Sequence, residues 1–353
     1  MKKCHAVYLV CTAAMIGTGL GAAPASAGHM THLVLPGQSI QKAVDAAEPG
    51  DTVLLAPGTY RESVNVSTPG LTLRGMGRDT VIKPSTEKDP DNTCAEGGNG
   101  ICVVGTNSEK LKGVTVSSLT VTGFTRTGVY STATDGLTVR NVTAVRNGIW
   151  GIAQERSVRG VFRGNTARDN GDAGIFVANT ITAEEGSQDT RGTIVERNQL
   201  EDNRIGLTVR RLRNLSVADN YVTGNCAGVF VVGDENKPKA GDLMVRGNHV
   251  VSNNKSCPKT ERLPALQGSG IVLTGTEKVR VVDNTVEDNS GDSPLSGGIV
   301  LFKSMVGVTG ERNEVIGNRL RDNAPADIVS TETGTTNTFN GNTCSASRPA
   351  GLC

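Results

Sequence analysis

Five segments of the chain repeat a glycine followed by alternating apolar residues, and their third positions carry side chains that could contact a ligand. These segments, GIFV, GLTV, GVFV, GIVL and GIVL, begin at residues 174, 206, 228, 270 and 298. An alternation with period two predicts strands whose third residue points outward. With the related GVYS at 128 and a position two residues further along the last segment, they give the candidate ligand-binding residues Tyr130, Phe176, Thr208, Phe230 and Phe302. Three of these aromatic rings recur on alternate repeats, where they could stack on sugar rings or other flat apolar surfaces.

Two ionisable residues occupy outward positions further along the same segments. Glu155 and Arg210 are predicted to stand about two repeats apart. One could act as a general base while the other neutralises a carboxylate, which makes this pair the candidate catalytic site.

Acidic residues in the loops could supply oxygen ligands for calcium. The alternative is ordinary solvated loop charge. No cofactor other than possible calcium is predicted, no metal-binding residues are assigned, and His249 is interpreted as an inert surface histidine. The calcium candidates are Asp89, Asp91, Glu96, Glu184, Glu185 and Asp189.

A second repeated phrase, which starts with asparagine, indicates how these positions are held. Its copies begin 33, 22, 28, 36 and 34 residues apart. The shortest step, about 22 residues, fits one turn of a coil with three short strands, and the longer steps add polar insertions. Stacked turns of this kind predict an all-β, right-handed parallel β-helix. The first asparagines of the phrase are Asn165, Asn198, Asn220, Asn248, Asn284 and Asn318.

The asparagines are predicted to build the coil and to take no part in chemistry. At a sharp corner, asparagine tolerates a left-handed conformation, and its amide can bond to the same group one turn away. We expect a second row at Asn170, Asn203, Asn225, Asn253, Asn289 and Asn323. In the turn with Asn141 and Asn147 the spacing is six, which indicates a local bulge.

Inward aliphatic residues should fill the axis of the coil. One predicted column contains Ile175, Leu207, Val229, Ile271 and Ile299. The next contains Val177, Val209, Val231, Leu273 and Leu301.

The open ends of the coil need caps. SIQKAVDAA offers Ser39 as an N-cap, with Ile40, Ala43, Val44 and Ala47 on one helical face. Cys344 and Cys353 could close a C-terminal cap. We therefore expect an N-terminal cap and first turns over 33–112, repeats over 113–343 and a C-terminal cap over 344–353, all in one domain from 28 to 353.

Residues 1–27 have the charged start, apolar middle and A-x-A end of a secretory signal peptide, with cleavage predicted after Ala27. The segment takes two lysines with it and leaves 34 basic against 35 acidic residues, a charge of about −1. A chain with so small a net charge shows no excess of positive charge that would attract nucleic acid. No later stretch is long and apolar enough to insert in a membrane. We expect a secreted, extracellular monomer.

Six cysteines remain after the signal peptide, and an even set in an exported chain predicts disulfides. Six cysteines allow fifteen pairings. Their order along the chain suggests Cys94 with Cys102, Cys226 with Cys257, and Cys344 with Cys353.

The opening LPGQSIQKAVDAAEPGDTVLLAPGTYRESVNVSTPGLTLRGMGRDTVI, followed by the N-x-[VL]-x-x-N…G-[IV]-x-[VL] repeats, resembles the pectin lyase-like β-helix superfamily. Within it, the chain is most similar to NosD-type exported proteins of bacteria. The resemblance covers residues 33 to 353. It is specific for the fold and unspecific for activity, because the matching residues are those that build the coil.

The resemblance implies that a substrate groove runs along the sheet of the G-I-x-V strands. The chain lacks the G-H-G and D-D motifs of polygalacturonases in its repeats and the D-P-H-D motif of alginate epimerases. It also has no clustered Met/His motif for copper. Two hypotheses remain: binding or modification of an extracellular polysaccharide by a lyase, epimerase or hydrolase of this fold, or a non-enzymatic accessory scaffold that binds a protein partner or a metal. The groove is open in the first case, whereas in the second the insertions can fold over the aromatic stripe.

Overall fold

The chain winds through three parallel β-sheets and adds one strand to each sheet in almost every turn. The computed structural model describes residues 28–87, 90–261, 263–304 and 306–353, so the predicted signal peptide and the calcium candidate Asp89 lie outside the described residues. Each strand pairs in parallel with the strand of the same sheet in the next turn. The predicted right-handed parallel β-helix is confirmed.

Within each sheet the strands follow one another along the axis of the coil. The first sheet has 12 strands: Thr31–Val34, Thr52–Leu55, Thr72–Gly75, Thr115–Ser117, Thr138–Arg140, Val161–Arg163, Gln188–Glu196, Leu212–Ala218, Ala240–Arg246, Thr276–Val282, Glu314–Ile316 and Thr338–Asn340. The second sheet has 10 strands: Gly58–Arg61, Thr80–Lys83, Thr120–Thr122, Thr143–Val145, Thr166–Arg168, Gln199–Glu201, Tyr221–Thr223, His249–Val251, Thr285–Glu287 and Arg319–Arg321. The third sheet has 11 strands: Val64–Val66, Ile101–Val104, Thr127–Thr132, Trp150–Glu155, Ala173–Ala178, Ile205–Arg210, Ala227–Val232, Ser269–Thr274, Gly297–Phe302, Ile328–Ser330 and Ser347–Arg348. A further pair joins Leu111–Lys112 to Thr134–Asp135, and the helices are α1, Ile40–Asp45, and α2, Thr93–Glu96.

Both predicted inward columns lie on the third sheet and are buried. Ile175 pairs with Leu207, which pairs with Val229, and the column continues through Ile271 to Ile299. The second column is in the same register: Val177, Val209, Val231, Leu273 and Leu301. Burial of each aliphatic side chain contributes about 2 kcal/mol, so the columns are a main source of stability.

The asparagine ladders are present and their amides are saturated. The Oδ1 atom of Asn220 accepts hydrogen bonds from the backbone N–H and the Nδ2 of Asn198, at 3.0 and 2.8 Å. Its Nδ2 donates to Asn248 Oδ1 at 2.9 Å and to the carbonyl of Val195 at 3.0 Å. This pattern joins all predicted members of the first row, and the second row repeats it. The architectural role of the asparagines is therefore confirmed.

The predicted left-handed conformation belongs to a different residue. It is adopted by the residue just before a ladder asparagine, such as Arg197 at φ 54° and Asp219 at φ 54°, and not by the asparagine itself. Asn141 also has this conformation, at φ 53°. The first-row position in its turn is Val142, whose N–H donates to Asn165 Oδ1 at 3.0 Å. The two ladder positions of this turn are therefore Val142 and Asn147, which are five residues apart as in the other turns. The predicted bulge is wrong.

The N-terminal cap is helix α1, as predicted. Ser39 Oγ accepts a hydrogen bond from the Lys42 N–H at 3.2 Å, and the side chains of Ile40 and Val44 are buried against the first turn. The sequence analysis missed Glu62, which accepts a second capping bond from the Ile40 N–H at 2.7 Å.

All three predicted disulfides form, with Cα–Cα distances of 5.7, 6.0 and 5.5 Å that lie within the usual range. The Cys344–Cys353 bridge closes the C-terminal cap, where Cys344 and Leu352 pack against the core of the coil. The boundaries at residues 112/113 and 343/344 stay predictions.

Replacement of Asn220 by alanine should destabilise the coil strongly. It would leave the N–H of Asn198 and the carbonyl of Val195 without their buried partners, and each such group costs about 1–3 kcal/mol. We expect a loss of about 3 kcal/mol or more, measured from the urea midpoint. The control Asn107→Ala, at an exposed loop position, should stay within about 0.5 kcal/mol of the native chain. Equal midpoints for both variants would contradict a stabilising role of the ladder.

Candidate functional site: a cleft over the third sheet

A cleft with a volume of about 820 Å³ lies over the outer face of the third sheet and is lined by residues from six of its consecutive strands. At about 4.8 Å per strand, it is about 24 Å long. Its walls are chain segments inserted between strands. Segments 179–187, 233–239 and the described part of 303–313 follow third-sheet strands, whereas 288–296 and the described part of 252–268 precede them. The two groups therefore flank the cleft from opposite ends of the strands.

The structure brings four of the five predicted ligand-binding residues together in this cleft. Phe176, Thr208, Phe230 and Phe302 line it, and Tyr130 is not among the lining residues. Phe176 is 7% exposed and Phe230 is 3% exposed, so the insertions cover most of the aromatic stripe. Of the two alternatives for the stripe, coverage by insertions is the one observed, and what remains accessible is a walled cleft.

Trp150, the only tryptophan of the chain, completes the aromatic floor. Its ring stacks on Phe176 with a centroid distance of 4.6 Å and an interplanar angle of 21°. Sequence analysis missed it because it lies before the glycine of its repeat. That the sequence contains a single tryptophan was the signal that could have identified it.

The candidate catalytic pair holds one wall of the cleft in place. Glu155 and Arg210 lie two strands apart in register, as predicted. Glu155 accepts hydrogen bonds from the hydroxyl of Tyr130 at 2.5 Å and from the N–H of Ile181 at 2.9 Å. Arg210 donates to the carbonyl of Ile181 at 3.1 Å. Burial, reinforced by the Glu155 carboxylate, raises the pKa of Tyr130, which keeps its hydroxyl protonated as a donor. Both side chains thus contact segment 179–187, and a catalytic role for them stays a prediction.

Arg211 links two segments of that same wall. Its side chain is 4% exposed and forms ion pairs with Asp234, through Nε, and with Glu184, through Nη2 at 3.1 Å. Nη1 also donates to the carbonyl of Ala183 at 2.9 Å. Segments 179–187 and 233–239 are therefore joined by one buried guanidinium.

Asp172 and Arg204 also line the cleft, and the sequence analysis missed both. The indole N–H of Trp150 donates to Asp172 Oδ2 at 3.0 Å. Burial raises the pKa of Asp172, against the opposing effects of the Trp150 hydrogen bond and the Arg204 charge. Both residues sit at a turn position whose residue type changes in every repeat, so no periodic signal could have found them.

The remaining acidic candidates are spread over separate contacts. Glu185 forms an ion pair with Arg156 at 3.4 Å, and Asp189 accepts a hydrogen bond from the Arg191 N–H at 2.7 Å. Asp91 and Glu96 lie beside and within α2. Within the described ranges, no group of three or more His, Cys, Asp or Glu side chains is arranged to hold a metal ion. Calcium binding stays an untested prediction.

Replacement of Glu155 by alanine should loosen the wall without unfolding the coil. Tyr130 and the Ile181 N–H would lose their shared acceptor. We expect amide hydrogen exchange in residues 180–187 to accelerate about tenfold, with the urea midpoint nearly unchanged. Glu109→Ala, at an exposed loop position, is the control and should leave this exchange as it is. Unchanged protection in Glu155→Ala would show that the carboxylate does not anchor the wall.

Family models match two overlapping parts of the chain. The model of the right handed beta helix region matches residues 81–242, and that of the periplasmic copper-binding protein (NosD) matches residues 179–348. A comparison with curated proteins finds no significant sequence match. Three disulfides are typical of proteins in an oxidising compartment, such as the extracellular space or the periplasm. In the part of the chain that the structure describes, no helix is long and apolar enough to cross a bilayer.

Solved structures with the same fold are distant in sequence. The mannuronan C-5 epimerase A-module of Azotobacter vinelandii is 19% identical, with a TM-score of 0.57 over 86% of this chain and 90% of that one. An alginate lyase from Paenibacillus is 17% identical, with a TM-score of 0.56 over 88% and 99%. The family 28 exopolygalacturonase of Yersinia enterocolitica is 13% identical, with a TM-score of 0.57 over 89% and 78%. The chain is therefore a right-handed parallel β-helix protein of the pectin lyase-like fold, with a NosD-type match over its second half.

Proposed function

We propose that this protein binds or modifies an extracellular polysaccharide in the cleft over the third sheet. The observation that carries the proposal is the cleft itself: about 24 Å long, walled on two sides, with the largely buried rings of Trp150 and Phe176 in its floor and the half-buried ring of Phe302 at one end. An elongated site with aromatic faces and a few ionisable groups suits a chain of sugar rings better than a compact small molecule.

The fold neighbours support the same substrate class. They are named as a mannuronan epimerase, an alginate lyase and an exopolygalacturonase, which are enzymes that act on polysaccharides. If this chain is an enzyme, we propose lyase, epimerase or glycoside hydrolase chemistry. A glycan array, followed by lyase and epimerase assays on uronate polymers with and without calcium, tests binding, catalysis and metal dependence separately.

A second candidate function is a non-enzymatic accessory scaffold that binds a protein partner or a metal. Two observations favour it: the insertions cover Phe176 and Phe230, as expected for a scaffold, and the NosD match over residues 179–348 spans all five of the segments that wall the cleft. A protein that ignores every glycan on the array but retains a protein partner would support the scaffold and contradict polysaccharide binding.

Replacement of Phe302 by alanine should weaken glycan binding. Phe302 is half-buried at one end of the cleft, where its ring can still contact a ligand. We expect the affinity for the best glycan of the array to fall about five- to tenfold in calorimetry. The matched control is Tyr221→Ala, which removes an exposed ring from the outer face of the second sheet. A larger loss in the control than in Phe302→Ala would place the binding surface on the second sheet.

A further inference from the structure

Asp172 and Arg204 are stacked neighbours at the turn that leads into the third sheet. The N–H of Arg204 donates to the carbonyl of Asp172 at 3.0 Å, so the two residues occupy the same position in consecutive turns of the coil. Both side chains line the cleft. They therefore place a guanidinium and a carboxyl group side by side at its edge.

The guanidinium of Arg204 is buried and incompletely bonded. The residue is 9% exposed, and its Nη1 donates to the carbonyl of Pro258 at 2.8 Å. Its Nε and Nη2 atoms are buried and have no hydrogen-bond partner among the described residues. Each unpaired buried donor lowers the stability of the folded protein by about 1–3 kcal/mol, and by more when it is charged. The two parallel N–H donors of Arg204 are therefore destabilising as they stand.

The segment that covers Arg204 is held in place by a disulfide and by backbone hydrogen bonds. Pro258 follows Cys257, whose disulfide to Cys226 fastens its segment to the turn directly after that of Arg204. Cys257 and Leu266 exchange backbone hydrogen bonds of 2.9 and 3.1 Å, which closes this segment into a hairpin. The hairpin thus covers Arg204 and contributes Leu263 to the lining of the cleft.

Asp172 connects the pair to the aromatic floor. Its Oδ2 is occupied by the Trp150 indole, whose ring lies against Phe176. An aromatic face, a carboxyl oxygen and a guanidinium edge in one cleft match the apolar face, the hydroxyls and an acidic substituent of a sugar ring.

We propose that the Nε–Nη2 edge of Arg204 binds an oxyanion carried by the polysaccharide, while Asp172 hydrogen-bonds a neighbouring hydroxyl and the Trp150–Phe176 floor supports the ring. This assignment rests on the proposed function and makes Arg204 the residue that selects acidic over neutral glycans. The Nε and Nη2 atoms are buried, so binding of the oxyanion requires the Arg204 side chain to turn toward the cleft that it lines. The oxyanion is a carboxylate or a sulfate ester, both of which fit two parallel N–H donors.

The test measures dissociation constants of three oligosaccharides of equal length: one of uronic acid units, one sulfated and one neutral. We expect the native chain to prefer an acidic one, and Arg204→Gln to weaken that one at least about tenfold while the neutral one changes less than about twofold. Arg204→Lys keeps the charge without the planar donor pair, so it should recover only part of the preference. Arg246→Gln, at an exposed position on the first sheet, is the matched control. The better acidic ligand identifies the oxyanion.

Each outcome separates this inference from the proposed function. An unchanged acidic preference in Arg204→Gln, with weakened binding in Phe302→Ala, would overturn the role of Arg204 and leave polysaccharide binding in place. A native chain that prefers the neutral oligosaccharide would overturn it as well. A native chain that binds none of the three would refute both. If Arg204→Gln fails to fold, as judged by its urea transition, the preference ratio of Arg204→Lys decides: a ratio equal to that of the native chain would overturn the assignment.

Discussion

Every part of this structure depends on parallel register from one turn of the coil to the next. A turn of three short strands buries its apolar face and pairs its backbone only if the next turn lies directly over it. The asparagine rows enforce this alignment at two corners, because each amide both accepts from the turn before and donates to the turn after. A shift by one residue would break the amide contacts and turn the inward side chains of each strand outward. The coil therefore has one register, which fixes the floor of the cleft.

The same constraint determines where the chain is free to vary. Extra residues within a strand disrupt its pairing, as the register shift between Asp189 and Thr193 in the first sheet shows, so the long insertions lie in the turns. In this protein the long ones cluster at the two turns that border the third sheet. These insertions form the two walls of the cleft on either side of the sheet. The ion pairs of Arg211 with Asp234 and Glu184 join neighbouring segments of one wall. A cleft arises because the long additions lie beside that sheet.

Sequence alone predicted what the repeat determines. The inward columns, both asparagine rows, the helical cap and the disulfide order follow from periodicity and composition, and the structure contains all of them. The expectation that the ladder asparagines adopt the left-handed backbone conformation was wrong. Their amides must face along the coil axis, and the residue before each of them adopts the positive φ at the corner. The sequence left two alternatives for Phe176 and Phe230, an open groove or coverage by insertions, because the outcome depends on the path of insertions that have no counterpart in other turns. Glu155 belongs to the same class: its outward position was predictable, but its contact with Ile181 was not.

This division indicates where function can reside in such a protein. Residues that repeat in every turn are occupied by the coil: the ladder amides have no free hydrogen-bonding capacity, and the columns are sealed inside. Specific chemistry therefore has to come from positions where the repeat tolerates any residue. The turn position that carries Ile149, then Asp172, then Arg204, then Cys226 is such a position. Over three of these turns it supplies a carboxyl group, a guanidinium and a disulfide anchor for the hairpin that covers that guanidinium. Ile149 shows that an apolar residue can occupy this position, so the coil does not require a charged one there. The charged pair and its cover are thus features that the coil does not require, and the proposed acidic ligand would account for both.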